Sequence, residues 1–410
     1  MARKTSRIPP ELIPYMLILP LALVASACGT REVQALDVAG DAGTTGDAGS
    51  TADAGGGPAD AGTPLPEMTG CDGVKLYATP DDAAARGPWP VGAKTVKVGS
   101  LTAEVWYPAV RGSEAGKAQV VYDIRKWLPP PERRKIPDAA APMQACGCYR
   151  DLPIDAAHGK YPVVVFIHGT AGFRTQSLAH MEHWASRGFV VVAADYPGLY
   201  LADMLNLNFK KDLTGDTRKV LDALAAPAGD LSLLAGRIDM GRLGMSGHSA
   251  GGETLKDFGT ITNVRVLIPL AAGGATPSPT LESTLVMGGQ IDKIVPYTNQ
   301  QQGYADSAPL KRLVGVGNAG HLFPTDLCWM TNGAGENLVQ VAQKYQITNA
   351  DLASQLFDCP EGQLPQEKAR AIVNDATTAA FEEKLVCRAG SPFAGIQAAY
   401  PDIFDFKEEP

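Results

Sequence analysis

The stretch 244–252 reads Gly-Met-Ser-Gly-His-Ser-Ala-Gly-Gly and constrains this chain more than any other. Inside it, Gly247-His248-Ser249-Ala250-Gly251 is a G-x-S-x-G pentapeptide, preceded by the apolar Leu243 and Met245. A serine hydroxyl becomes a useful nucleophile when a sharp strand-to-helix turn lifts it clear of a sheet. That turn brings backbone against backbone, so the positions two before and two after the serine must be very small. A helix starting behind the serine also points free N–H groups at the place where negative charge develops; one is expected over 254–258. The pentapeptide alone is a weak signal, because glycine-rich turns carrying a serine are common. Its meaning depends on its partners.

The surrounding pattern supplies the frame. Residues 161–167, 189–194, 264–270, 284–287 and 310–316 are apolar runs that read as buried strands, and 242–245 leads into the pentapeptide. Helical segments are expected over 177–187, 217–226 and 296–306. Such alternation implies an α/β fold with a mostly parallel central sheet, helices on both faces and sites at the carboxyl ends of the strands. Residues 95–98 and 101–107, with Gly99-Ser100 as the turn, suggest an antiparallel pair at one sheet edge. The stretch 110–157 is an irregular excursion, partly helical and held by a disulfide, whose Arg133-Arg134-Lys135 reads as a solvated patch. Extra C-terminal helices are expected near 336–345, 349–357 and 366–385, clamped by Cys359 and Cys387. They are assigned to packing on the sheet, with a lid or pocket wall as the alternative.

A nucleophilic serine needs a base, and the base needs an acid that fixes its tautomer. The chain has six histidines. His158 precedes the first central strand, His168 ends that strand and shapes the turn, and His180 and His183 fall in a helix as surface or packing residues. His248 is too close to Ser249 along the backbone to serve it. His321 follows a strand within Gly317-Asn-Ala-Gly-His321 and is the candidate base. Asp292, in the loop after 284–287, is the candidate acid, with Asp195 as runner-up; Glu282 and Asp306 are poorly placed. The backbone N–H groups of Thr170 and Ala250 are the candidate oxyanion donors.

Taken together these residues resemble the α/β-hydrolases. Within them the chain is similar to the group of platelet-activating-factor-acetylhydrolase-like, dienelactone-hydrolase-like and bacterial cutinase-like enzymes. The resemblance is carried by Gly87-Pro-Trp-Pro-Val-Gly92, Val105-Trp-Tyr-Pro108, residues 162–169 and 188–195, Gly247 to Gly251, Gly289 to Asp292 and Gly320-His321. It covers about residues 87–323, with the helix near 371–385 as an extension. It implies a metal-independent esterase without a cofactor, with Ser249, Asp292 and His321 as nucleophile, acid and base. Polyester-cleaving cutinases carry a tryptophan after the strand matching 264–270, where this chain has Ala271-Ala272-Gly273-Gly274. That departure points away from polyester substrates.

The amino-terminal region addresses location. Arg3, Lys4 and Arg7 precede an apolar run from 12 to 24, then Ala25-Ser26-Ala27 and Cys28. This reads as a secretory signal over 1–27, and the small residues before the cysteine resemble a bacterial lipobox, which implies a lipoprotein with Cys28 as the lipidation site; an ordinary signal peptide with an incidental cysteine is the alternative. A Gly/Ala/Asp-rich tether is expected over 28–70, and the catalytic domain over 71–410. Loss of 1–27 removes three basic residues and one acidic one, moving the net charge from −8 to −10. An acidic chain without basic blocks argues against nucleic acid, so membrane attachment would rest on the lipid. The expected location is the bacterial cell envelope, outside the cytoplasm. Cys71, Cys146, Cys148, Cys328, Cys359 and Cys387 remain, read as up to three disulfides in any of fifteen pairings rather than a metal site.

The expected function is a serine carboxylic-ester hydrolase acting on small or medium esters, with oligomeric state open. An amidase or peptidase could use the same triad. A catalytically silent hydrolase fold used for surface binding is the alternative from another class, opposed by the intact serine, aspartate and histidine positions.

Overall fold

The structure, a computed structural model, describes residues 64–261, 263–275, 281–390 and 393–410. Cys28, the expected leader and the tether as far as residue 63 lie outside the described residues. Strand pairing is already present ahead of the expected domain start at Cys71, because Glu67–Thr69 pairs antiparallel with Lys75–Tyr77.

A ten-stranded sheet forms the centre. Its strands in chain order are β1 (Val91–Val98), β2 (Leu101–Pro108), β3 (Cys148–Arg150), β4 (Tyr161–Ile167) and β5 (Val190–Asp195), followed by β6 (Ile238–His248), β7 (Val264–Leu270), β8 (Ser283–Gly289), β9 (Lys311–Val316) and β10 (Ile403–Glu409). Across the sheet the order is β10-β9-β8-β7-β6-β4-β5-β2-β1-β3. From β9 through β5 each neighbouring pair is parallel. β10 is antiparallel to β9, and β2 is antiparallel to both β5 and β1. Strands such as β4 and β5 are apolar along their length because both sides are covered, and Val163 to Ile167 have no exposed surface.

Eight helices are used below: α1 (Leu178–Ser186), α2 (Leu201–Leu205), α3 (Leu213–Ala225), α4 (Ala250–Thr254), α5 (Tyr297–Asp306), α6 (Leu338–Lys344), α7 (Ala350–Ser354) and α8 (Gln366–Phe381). Alternate residues of a strand point to opposite faces, and β6 shows which helix lies on each. A side chain at Gly244 would meet Phe381 of α8, whereas one at Gly247 would meet Gly251 of α4. α1 packs beside α8, with Trp184 edge-on to Phe381 at 5.3 Å between ring centres. The sheet is therefore covered on both faces.

Register brings the carboxyl ends together. Gly247 pairs with Ile167, His248 with Leu270, Leu270 with Met287, and Gly289 with Val316. The loops that follow β4, β6, β8 and β9 all leave the same edge of the sheet.

Several expectations need correction. α3 starts at Leu213, earlier than 217, because the Asp212 carboxylate accepts from Gly215 N at 3.0 Å and caps the first turn. β10 was not expected; its Ile-Phe-Asp-Phe-Lys-Glu-Glu reads as a charged tail, yet Glu408 pairs with Arg312 at 2.8 Å across β9. The excursion after β2 is partly helical and carries the Cys146–Cys148 bridge, as expected, with turns at Ile124–Trp127, Pro130–Arg133 and Asp138–Ala140; the antiparallel pair Val121–Asp123 and Met143–Ala145 that brackets them was not expected. Its basic cluster is not simply solvated. Lys135 Nζ donates to Glu132 at 2.6 Å and to the Gln346 carbonyl at 2.9 Å, and Arg133 donates to the Lys126 carbonyl at 2.7 Å.

The C-terminal helices divide their work. α8 packs on the sheet, while α6 and α7 join Ile136, Ala140 and Leu205 in a separate small core around Val341 and Ile347. The disulfides are Cys71–Cys387, Cys146–Cys148 and Cys328–Cys359. Cys359 and Cys387 thus clamp different parts of the chain.

Candidate active site

β6 ends at His248 and α4 begins at Ala250, leaving Ser249 alone in the turn with φ 53° and ψ −122°. A non-glycine residue held there carries strain of about 1–3 kcal/mol. The neighbours fix it: Ser249 N donates to the Leu270 carbonyl at 2.9 Å, tying the turn to β7. A Cβ at Gly251 would run into the carbonyl oxygens of Ile167 and His168 at the end of β4. A Cβ at Gly169 would lie 3.2 Å from the Cβ of Ser249. Small residues around the serine are therefore required by the approach of β4 to the turn. The helix starts directly behind the serine, four residues earlier than expected, and continues as a tighter turn over Leu255–Phe258.

Asp292 and His321 meet as expected. Nδ1 of His321 lies 2.8 Å from Asp292 Oδ2, and both side chains are buried. The other oxygen of Asp292 accepts from Ile294 N and Val295 N, each at 2.8 Å. A carboxylate can only accept, so Nδ1 of His321 carries the hydrogen and Nε2 is left with its lone pair. Among the described residues no hydrogen bond is found at Nε2 of His321. No hydrogen bond joins Ser249 Oγ to it here; in free enzymes that bond is often long and tightens only around substrate. The runner-up acid is committed elsewhere. Asp195 accepts from Trp127 Nε1 at 3.0 Å and from Arg174 N at 2.9 Å, and forms a close ion pair with Arg174.

Two residues join the elbow, acid loop and base loop, and sequence reasoning missed both roles. His248 donates Nε2–H to the His321 carbonyl at 3.0 Å, with their rings 4.8 Å apart. Burial holds its imidazole neutral, well below the usual histidine range. Asp358 Oδ2 accepts from His321 N at 3.0 Å and from Lys293 N at 3.1 Å. One carboxylate thus spans the segments that present acid and base, and it adjoins Cys359, bonded to Cys328.

The turn after β4 presents Thr170. His168 donates Nδ1–H to the Gly169 carbonyl at 2.8 Å and accepts at Nε2 from Tyr196 N at 3.1 Å. That bracing between the ends of β4 and β5 matches the structural role expected of it, and burial lowers its pKa. Gln176 Oε1 accepts from Gly169 N at 3.3 Å. Neither Thr170 N nor Ala250 N has an acceptor outside regular structure among the described residues. Thr170 lies on the turn after β4, and Ala250 is the first residue of α4, directly behind Ser249.

The remaining histidines are structural. His180 bonds Asn374 at 2.7 Å, His183 bonds the Ala83 carbonyl at 2.9 Å, and His158 bonds Asp155 at 2.7 Å. All three are buried, so the surface alternative for His180 and His183 does not hold. Among the described residues no group of three His, Cys, Asp or Glu side chains is placed to hold a metal ion. No described helix is long and apolar enough to cross a membrane.

A cleft of about 340 Å³ opens at Thr170 and Ala171. Its walls are Leu201 and Leu205 of α2, Ile124 to Pro142 of the excursion, and α6 and α7. The expectation for the C-terminal helices is corrected here: α6 and α7 form a pocket wall.

Comparison with known proteins is consistent with this geometry. A family model described as chlorophyllase matches residues 152–259, a span that holds Thr170 and Ser249 but stops before Asp292. The chain is 29% identical over 178 residues to a bis(hydroxyethyl) terephthalate hydrolase of Streptomyces coelicolor, covering 42% of this chain and 54% of that protein. It is 26% identical over 206 residues to cutinase est1 of Thermobifida alba, covering 49% of this chain and 65% of that one. The chain thus matches less than two thirds of the length of either relative. A solved ferulic acid esterase from Streptomyces cinnamoneus superposes with a TM-score of 0.54 at 19% identity, over 80% of this chain and 98% of that one. At that identity the likeness speaks for the fold.

Proposed function

We propose that this chain, an α/β-hydrolase by fold and by its similarity to known esterases, is a serine carboxylic-ester hydrolase. The observation that carries the proposal is the buried Asp292–His321 pair, 2.8 Å apart, beside a serine held at φ 53° on a strand-to-helix turn. Ser249 Oγ attacks the ester carbonyl while its proton passes to His321 Nε2. The oxyanion is received by the backbone N–H groups of Ala250 and Thr170. Collapse of the tetrahedral intermediate expels the alcohol, which takes the proton from His321, and leaves an acyl-serine. Water then gives a proton to His321 and attacks the acyl carbon; as the bond to Ser249 Oγ breaks, His321 returns that proton to the serine and the acid is released. Asp292 keeps the imidazole in the tautomer this sequence needs. One oxyanion donor is typically worth about 2.7–4 kcal/mol of transition-state stabilisation.

The substrates are small or medium esters other than polyesters, a reading supported by the absence of an aromatic residue in Ala271-Ala272-Gly273-Gly274. The protein is exported and held at the cell envelope by lipid on Cys28, a reading supported by the charged start, apolar run and small residues before that cysteine. Turnover of p-nitrophenyl acetate and butyrate by wild type and Ser249→Ala tests the activity. Loss in the variant of at least about a thousandfold is expected. A folded wild type without turnover, or an equally active variant, would favour a binding role for the fold.

A further inference from the structure

We infer that the cleft beside Thr170 takes an extended aliphatic arm of the ester, so that the preferred substrates are aliphatic-chain esters rather than acetates or compact polar esters. This rests on the esterase reading and names the substrate class of that same site.

Position is the first argument. The cleft is lined in part by Thr170, a candidate oxyanion donor, and by Ala171, so it reaches the turn after β4, although Ser249, Asp292 and His321 are not among its lining residues. A carbonyl polarised there has one of its two arms within reach of the opening. Chemistry is the second. Ile136, Leu201, Leu205, Val341, Ile347 and Phe357 dominate the inner lining. The cation among the lining residues is already used: Arg125 pairs with Asp123 at 2.7 Å and Asp138 at 2.8 Å. Asp351 and Gln343 are exposed at the rim. A sugar or a carboxylate placed inside would lose water without gaining partners, whereas a hydrocarbon would not. At about 340 Å³ the space is at the lower end of the roughly 300–1,000 Å³ typical of small-molecule sites.

Construction is the third argument. The walls come largely from the excursion after β2 and from α6 and α7, and they are fastened together. Glu132 accepts from Thr348 N at 2.7 Å and Thr348 Oγ1 at 3.0 Å, Lys135 donates to the Gln346 carbonyl at 2.9 Å, and Asn349 donates to the Leu205 carbonyl at 2.7 Å. Polar bonds hold the shell while its inner surface stays apolar. The site is built, and its lining selects for hydrocarbon.

The test measures kcat/KM of the full chain on p-nitrophenyl esters from acetate to dodecanoate, and on acetate esters of linear alcohols of the same lengths. The first series places the chain on the acyl side and the second on the alcohol side. In one of them kcat/KM is expected to rise roughly two- to fourfold per methylene until the cleft is full. Ala353→Trp, which projects bulk into the cleft from α7, should lower the decanoyl-to-acetyl ratio, or the decyl-to-methyl ratio, by at least about tenfold. Should that variant fail to fold, Ala342→Phe from α6 serves the same purpose. Acetate turnover with both series flat, or equal losses on short and long substrates in the folded variant, would overturn the inference and leave the esterase reading standing. Absence of turnover on every ester would instead remove the esterase reading.

Discussion

At the scale of single residues, Asp358 is the group whose role is least visible without the fold and simplest to test. It touches no reacting atom; it holds the backbone N–H of His321 and of Lys293. Asp358→Ala should lower kcat about tenfold or more with little change in KM, because displacement of a catalytic group by about an ångström can cost a hundredfold. Asp358→Asn keeps an accepting oxygen and should recover much of the loss. Steady-state kinetics of the two variants check this, and equal kcat in all three proteins would assign Asp358 to stability alone. The placement of Ser249, Asp292 and His321 at strand ends, and the meeting of the last two, was legible because each follows an apolar strand. Asp358 was not, because it acts on backbone donors from a segment without strand pattern. His248 was rightly set aside as a base, yet its grip on the His321 carbonyl has no trace in the spacing.

At the scale of elements, the close approach of β4 to the β6–α4 turn holds Ser249 in place. Gly251→Ala places a methyl against the Ile167 and His168 carbonyls, which are backbone and cannot rotate away. It should destabilise the protein by about 1–3 kcal/mol, as overpacking does, and abolish most turnover. Thermal melting and turnover of the variant check both parts, and a wild-type Tm with full activity would contradict the geometry. The central strands were readable from continuous apolar runs, since burial on both faces leaves no alternation to blur them. β10 was not, because an edge strand laden with Asp, Lys and Glu looks like a solvated tail. The cap was not readable either. α6 and α7 bury their apolar side chains against Ile136 and Leu205, more than a hundred residues away in sequence, and no local periodicity reports such a partner.

At the scale of the whole molecule, covalent ties and buried titrating groups set the conditions under which the site survives. Cys71–Cys387 fastens the amino-terminal hairpin to the end of the α8 segment, across a sequence separation of 316. Loss of a native disulfide often costs about 2–5 kcal/mol, so dithiothreitol should lower Tm, and an unchanged melt would show the bridges to be dispensable. Acid acts through histidines. Burial depresses the pKa of His168, His180 and His248, and pulls His183 down to about 3 with help from Arg187. Each stays neutral in the folded protein but takes a proton near pH 6.5 when unfolded, so the unfolded state binds more protons below that pH. Stability present above about pH 6.5 is then lost as pH falls, by up to about 1.4 kcal/mol per unit for each such group. Glu182 and Asp375, pushed up by burial, work in the opposite sense. The histidines outnumber them, so Tm should drop between pH 7 and pH 5; a flat profile would contradict their neutral burial. Covalent trapping shows whether Ser249 is a nucleophile activated by His321. The full chain is treated with a fluorophosphonate and the modified peptide is located by mass spectrometry. One adduct is expected, on Ser249, with labelling slowed severely in His321→Ala; an unlabelled protein, or an adduct on another residue, would show that Ser249 is not the nucleophile.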